Sequence, residues 1–325
     1  MQKIALTFFL VAVVCAGMPA SADDSSASLA AGGIVLTKAD AIRMAREDLY
    51  ISPKQVRVSF VFANDTDADI DTVVAFVLPD IDLATFWGSP LGTVTDDPVN
   101  FIGFKASSDG KPIAFKVEQR AFAKGKDVTA LIASTGLQIN LVAGDGYRKL
   151  DALSPDKHKR LIDAGVLAAE DNNYYPQWSV QTRFYWTQHF PAHASVAIEH
   201  SYQPVTGQSF FGKDDATNKD ATRGNDYCFD APTKARISSA VAARLRANAD
   251  NGGYLNAYWT DYVLTTANNW KGPIGLFHLT LDKLKPENIL SLCWDGAVEK
   301  TGPTTFEATQ QRFAPRHDIH LLVLQ

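Results

Sequence analysis

Apolar residues recur at every second position along most of this chain, and that period decides what the chain can fold into. In "VRVSFVF", Val56, Val58, Phe60 and Phe62 alternate with Arg57, Ser59 and Val61. In a later run Trp178, Val180, Phe184 and Trp186 share one side, with Gln181, Arg183 and Tyr185 on the other. Val196, Ile198, His200 and Tyr202 repeat the pattern after a turn at Phe190-Pro191. A period of two collects such residues on one face of a strand, whereas a helix would scatter them.

Further strands follow from the same reading. Gly33 to Leu36 opens the series, and Ile42 to Ser52 follows, alternating only in part. Thr72 to Leu78 ("TVVAFVL") is apolar enough to be buried on both faces and is stopped by Pro79. Phe101 to Ala106 and Lys111 to Gln119 form a predicted hairpin turning at Asp109-Gly110. Two segments break the rule. Ser154-Pro155 supplies an N-cap and a first-turn proline for a helix that Gly165 ends. Asp230 caps a longer helix running to about Asn248, with Ile237, Val241 and Leu245 as its apolar stripe. Gln208 to Asn225 is rich in Gly, Asp, Lys and Asn and reads as a long surface loop. The expected fold class is mainly β: antiparallel β-sandwich-like lobes with two helical insertions, at about 154–165 and 231–248. The domain expectation is a signal peptide over 1–22 and a single domain over 23–325, arranged as β-rich lobes 23–147 and 170–325.

The N-terminus reads as a secretory signal. Lys3 supplies the positive charge, Ala5 to Gly17 an apolar core short for a bilayer span, and Ala20-Ser21-Ala22 a small-x-small cleavage pattern. Cleavage is expected after Ala22, giving a periplasmic protein with no stable membrane anchor. Cys15 does not suit lipid attachment, because Val14 precedes it where a small residue is needed. The formal charge of −5, one unit more negative without Lys3, carries no basic block, so nucleic acid is excluded as an expected partner.

Without Cys15, Cys228 and Cys293 remain. Two cysteines in an exported chain read as one disulfide, closing a loop of roughly 65 residues for ~4 kcal/mol of chain-entropy stabilisation. The alternative is two free buried thiols.

Candidate chemistry is sparse. Asp65, Asp67, Asp69 and Asp71 alternate in "NDTDADID", and the first three match the early ligands of a calcium loop. The loop then needs glycine at position 6 and glutamate at 12, where this chain has Ile70 and Phe76. An acidic turn between strands is the better reading, and Asp65, Asp67 and Asp69 stay as weak calcium candidates with no other metal ligands named. His189 and His193 flank Pro191, so they cannot be the i, i+4 pair of a zinc helix, and His200 reads as a core histidine. No nucleophile elbow, zincin motif, Cys-x-x-Cys or phosphate loop occurs, so no catalytic residue and no cofactor is assigned. Tyr185, beside Arg183 and Gln181, is the candidate ligand-binding surface, since tyrosine offers a flat apolar face with a polar tip. The basic residues Arg236, Arg244 and Arg246 of the long helix read as a solvated face.

Several phrases together carry a family resemblance: "SSASLAAGGIVLTK", "REDLYISPKQVRVSFVFAN", "VVAFVLPDI", "FPAHASVAIEHSYQPVTG", "YVLTTANNWKGPIGLFHLTLDK", "SLCWDG" and "FAPRHDIHLLVL". In this order and spacing the chain resembles a bacterial exported family catalogued as domain of unknown function 4424. The resemblance implies export, a mostly β fold and one continuous domain, and supplies no catalytic residues. Cys228 and Cys293 sit in its "YC" and "CW-D-G" phrases, which fits a structural bridge. "TTANNWKGPIG" reads as a strand ending in a turn, with Trp270 covering the core edge and Pro273 breaking the ladder. The expected function is non-catalytic binding in the cell envelope, to an envelope protein or a glycan. The alternative is a periplasmic hydrolase acting on envelope glycans or peptides through acidic residues.

Overall fold

The computed structural model describes residues 24–30, 33–86, 93–171, 173–218, 227–247 and 253–325. The predicted signal peptide and cleavage site lie outside them. In chain order the first strands are β1 (Asp24–Ala30), β2 (Gly33–Leu36), β3 (Ile42–Ser52), β4 (Gln55–Asn64), β5 (Ile70–Val77) and β6 (Ile81–Asp82). The short helix α1 (Leu83–Phe86) precedes β7 (Lys105–Ser108), β8 (Lys111–Pro112), β9 (Lys116–Ala123) and β10 (Lys126–Asp127). Helices α2 (Thr129–Ala133), α3 (Gly146–Asp151) and α4 (Pro155–Asp163) lead to β11 (Leu167–Glu170), β12 (Asn173–Pro176), β13 (Ser179–Phe190), β14 (Ser195–Tyr202) and β15 (Gly207–Phe211). After the long helix α5 (Ala231–Ala247) come β16 (Leu255–Tyr262), β17 (Ile274–Asp282), β18 (Ile289–Ser291), β19 (Glu299–Lys300), β20 (Thr305–Phe313) and β21 (Ile319–Leu324).

The strands form a mainly β protein, as the alternation predicts. An eight-stranded sheet runs β19-β20-β17-β3-β4-β14-β7-β8, and a seven-stranded sheet runs β10-β9-β13-β5-β1-β2 with β6 also on β13. Both draw strands from either side of the helical segment α2–α4. Pairing is antiparallel except between β3 and β17, the only parallel strand pair among the described residues. The alternating apolar faces of the two sheets meet in one core. Phe76 of β5 stacks on Phe104 at 5.0 Å, Phe104 on Phe184 of β13 at 4.4 Å, and Phe62 of β4 lies 4.5 Å from Trp270. A four-stranded sheet, β15-β16-β21-β18, buries Leu255, Ala257, Leu322 and Leu324 against Ile237 and Val241 of α5. Cys228 and Cys293 are disulfide-bonded, Cα to Cα 4.9 Å, tying the entry of α5 to the exit of β18.

Several local expectations need correction. Phe101–Phe104 is not strand, and the segment from Lys111 splits into β8 and β9, which join different sheets. The turn itself is as expected, with Asp109 and Gly110 both at positive φ (48° and 74°). The predicted loop from Gln208 begins instead as β15, because Gly207–Phe211 pairs along β16. Leu245 does not complete the buried stripe of α5 and is 41% exposed. Thr265–Asn269 forms a 3₁₀ turn rather than a strand end, held where Asp318 accepts from the Leu264 and Thr265 backbone N–H groups. Trp270 is buried, as expected.

Candidate functional site

The Asp-rich turn between β4 and β5 is committed to its neighbours. Arg43 forms a two-point ion pair with Asp65 and holds that carboxyl below its ordinary range. His193 bonds Asp67 at 2.7 Å, His189 bonds Asp71 at 2.9 Å, and Asp69 accepts the backbone N–H of Ala192. Asp67, Asp69 and Asp71 therefore latch the end of β13, with His189, and the turn after it, with His193, while Asp65 is tied to Arg43 of β3. Among the described residues no group of three or more His, Cys, Asp or Glu side chains is placed to hold a metal ion.

Gln181, Arg183 and Tyr185 do lie on one face of β13, where each is half-buried and engaged by its neighbours. Arg183 donates to Glu118 at 3.0 Å and to the Ile34 carbonyl at 2.8 Å, and Tyr185 packs against Ala27, Ile34 and Ala75. The second guanidinium nitrogen bonds Gln181, which in turn donates to Asp80 at 3.0 Å. This relay leads from the predicted surface to a cleft that sequence reading missed.

The cleft, about 510 Å³, opens where three parts of the fold converge. The β5–β6 connection contributes Leu78 to Asp82, the end of β14 and the linker after it contribute Tyr202, Pro204 and Val205, and the four-stranded sheet contributes Phe210, Trp259 and Asp261. On β16, Trp259 and Asp261 extend the row that Leu255 and Ala257 begin, since alternate strand residues share a face. Phe210 is 71% exposed at the rim, its ring 6.0 Å from that of Tyr254.

Charge in the cleft has one sign. Asp80, Asp82, Asp215 and Asp261 line it, and among the described lining residues there is no Lys, Arg or His. Asp82 caps α1 through the Ala84 N–H and the Thr85 hydroxyl, Asp215 accepts the Gly212 N–H, and Asp261 bonds His320 at 2.8 Å. Each carboxylate is thus oriented by a local bond. The surrounding walls raise the Asp80 carboxyl, against the Gln181 hydrogen bond that lowers it. Asp80 is exposed at the mouth, where Arg183 also acts against the rise.

The buried titratable groups lie elsewhere, in the core. Asp24 and Glu47 are fully buried, and burial raises both carboxyls well above their ordinary range. His200 is buried among Phe60, Phe76, Phe104 and Trp186, and desolvation pushes its imidazole down to about 3. Its Nε2 lies 3.6 Å from Asp24. The expectation of a core histidine matches this position.

No curated protein matches the chain in sequence. Among solved structures, the chain is similar to a protein of Legionella pneumophila subsp. pneumophila str. Philadelphia 1 described as a "putative nutrient binding protein", at 14% identity and a TM-score of 0.45, over 94% of this chain and 72% of that one. The family model described as "Domain of unknown function (DUF4424)" matches residues 22–322. On that match, which spans the strands, the helices and both cysteines of the bridge, the chain belongs to the DUF4424 family.

Proposed function

We propose that this is an exported, non-catalytic binding protein of the cell envelope, and that its cleft takes an organic cation with an apolar body. One observation carries the reading: an aromatic and aliphatic cleft of ligand size whose charged lining is all aspartate. Apolar walls favour a ligand body that leaves water, and same-sign carboxylates focus a negative potential into a low-dielectric space. The Trp259 and Phe210 ring faces add cation–π attraction. Export rests on the signal-like N-terminus, and fractionation with N-terminal sequencing tests it: a mature protein beginning at Asp23 in the periplasmic fraction is the expected result.

The ligand class is tested by calorimetric titration with phenethylamine, its neutral isostere 2-phenylethanol and its anionic counterpart 3-phenylpropionate. Preferential binding of the amine, lost in Asp80→Asn/Asp261→Asn, supports the assignment. Equal binding of all three, or none, refutes it.

A hydrolase remains the second reading, favoured by the raised Asp80 carboxyl at the cleft mouth as a proton donor. Turnover of an envelope glycan or peptide by the wild type but not by Asp80→Asn would select it over simple binding.

A further inference from the structure

The outer face of the eight-stranded sheet carries a second, separate groove of about 800 Å³, and its charges are ordered by the strand register. Across β3, β4 and β14, Asp48 pairs with Ser59 and Ser59 with Glu199. Two residues along each strand, across β4, β14 and β7, Arg57 pairs with Ser201 and Ser201 with Lys105. One row therefore reads acid, hydroxyl, acid, and the next reads base, hydroxyl, base. All six side chains project from the same face, because each strand's intervening residues, Leu49, Val58, His200 and Ala106, are buried in the core.

The rows are two residues apart, about 6.8 Å at the rise of an antiparallel strand. An extended dipeptide spans a comparable length, at roughly 3.3–3.6 Å per residue, and carries an ammonium at one end and a carboxylate at the other. The basic row is positioned for the carboxylate. Arg57 is stacked over the Tyr50 ring at 4.4 Å, and Tyr50 is itself fixed by its hydroxyl donating to Asp282 at 2.9 Å. Among the described residues neither Arg57 nor Lys105 has an ion-pair partner within 4.0 Å. In the acidic row, Asp48 is chelated by Arg46 and stays a background charge. Glu199, with only the Ser107 hydroxyl at 3.5 Å, is the acceptor for the ammonium.

We propose that this groove is a binding site for short zwitterionic peptides, with Arg57, Ser201 and Lys105 holding the terminal carboxylate and Glu199 and Ser59 the terminal ammonium. The site is independent of the acidic cleft, whose carboxylates would repel a free C-terminus and favour the blocked amide, the reverse of the order expected here.

The test is calorimetric titration of the full disulfide-bonded chain with L-alanyl-L-alanine, its N-acetyl derivative and its C-terminal amide. The free dipeptide binds, and each blocked form binds at least about tenfold more weakly, the loss expected for one charge-assisted contact. In Arg57→Met the acid and the amide bind alike; in Glu199→Gln the free and acetylated amines bind alike. Both side chains are on the surface, and Lys105→Met repeats the carboxylate arm should Arg57→Met misfold. Trp259→Ala, in the cleft, leaves dipeptide binding unchanged. Absence of binding at about 10 mM dipeptide, above the ~1 mM affinity of a weak site, overturns the proposal. So does equal binding of the blocked forms to the wild type, or unaltered discrimination in the variants.

Discussion

The indole N–H of Trp270 donates to the backbone carbonyl of Asp24 at 2.7 Å, joining residues 246 positions apart in the chain. Beside it Asn269 donates to the Ser25 hydroxyl at 2.9 Å. Strand β1 is polar, and these bonds together with its ladder to β5 hold it in the sheet. Trp270→Phe keeps most of the buried volume and leaves that carbonyl without its donor. The expected loss is about 1–2 kcal/mol in denaturant unfolding, the cost of a buried polar group deprived of its partner. An unchanged midpoint would show that the bond does not anchor β1.

Glu47 makes stability fall as pH rises. Burial, then the neighbouring Asp24 carboxyl, raise it in the folded state, while in the unfolded chain it ionises near its ordinary value. The folded state therefore keeps a proton that the unfolded state releases. The favourable contribution is complete below the unfolded value and is lost as pH rises towards the folded one. Glu47→Gln, which keeps the contact with Tyr262, should flatten this dependence and raise stability at neutral pH relative to the wild type. Melting curves from pH 4 to 8 check this; an identical slope in wild type and variant would reject it.

His200 acts in the opposite sense. Its folded value of about 3 lies below the ordinary 6.5, so its contribution is present above about 6.5 and is lost as pH falls towards 3. His200→Phe, placing a ring among Phe60, Phe76, Phe104 and Trp186, should reduce the loss of stability between pH 6 and 4. An acid limb as steep as that of the wild type would mean another group controls it.

Removing the Cys228–Cys293 bridge should lower stability by about 2–4 kcal/mol. Because the bridge ties α5 to β18, hydrogen exchange in Cys228→Ser/Cys293→Ser should accelerate first in α5 and the four-stranded sheet. Uniform acceleration across all sheets would instead indicate a global effect.

Gly275 faces the bulge in β3. The register of β3 on β4 slips between Met44 and Arg46, and a Cβ on Gly275 would lie 2.5 Å from the Ala45 carbonyl oxygen. Gly275→Ala must push backbone against backbone, for an expected cost of about 1–3 kcal/mol. Equal stability would show that the β3–β17 seam yields.

The same bulge explains why β3 was only half legible in the sequence. Ile42 and Met44 are buried, then Glu47, Leu49 and Ile51, so one extra residue flips the alternation midway. Unbroken strands such as β4 and β13 could be read for their existence and their two faces, though the structure extends β4 to Gln55–Asn64 and β13 to Phe190. So could α4, whose Ser154, Pro155 and Gly165 signals act locally. β1 was invisible, because "DSSASLA" has poor strand propensity and is held by side chains from Asn269 and Trp270. The cleft was missed for a related reason. Asp80, Tyr202 and Trp259 are brought together by chain crossings, and no local pattern marks their convergence. Gln181 and Arg183, read as a surface from the sequence, lead by hydrogen bonds to Asp80 at the cleft mouth, while their own side chains are half-buried and paired.

The parallel seam between β3 and β17 has a consequence for assembly. Tyr50 and Asp282 meet across it although 232 positions separate them. Contacts of such long sequence separation slow folding, since loop closure must precede any gain from the pairing. While a chain is still being synthesised and lacks β17, β3 presents an open backbone edge able to recruit a strand from another chain. The interval between the synthesis of β3 and of β17 would then set how much chain is lost to such pairing.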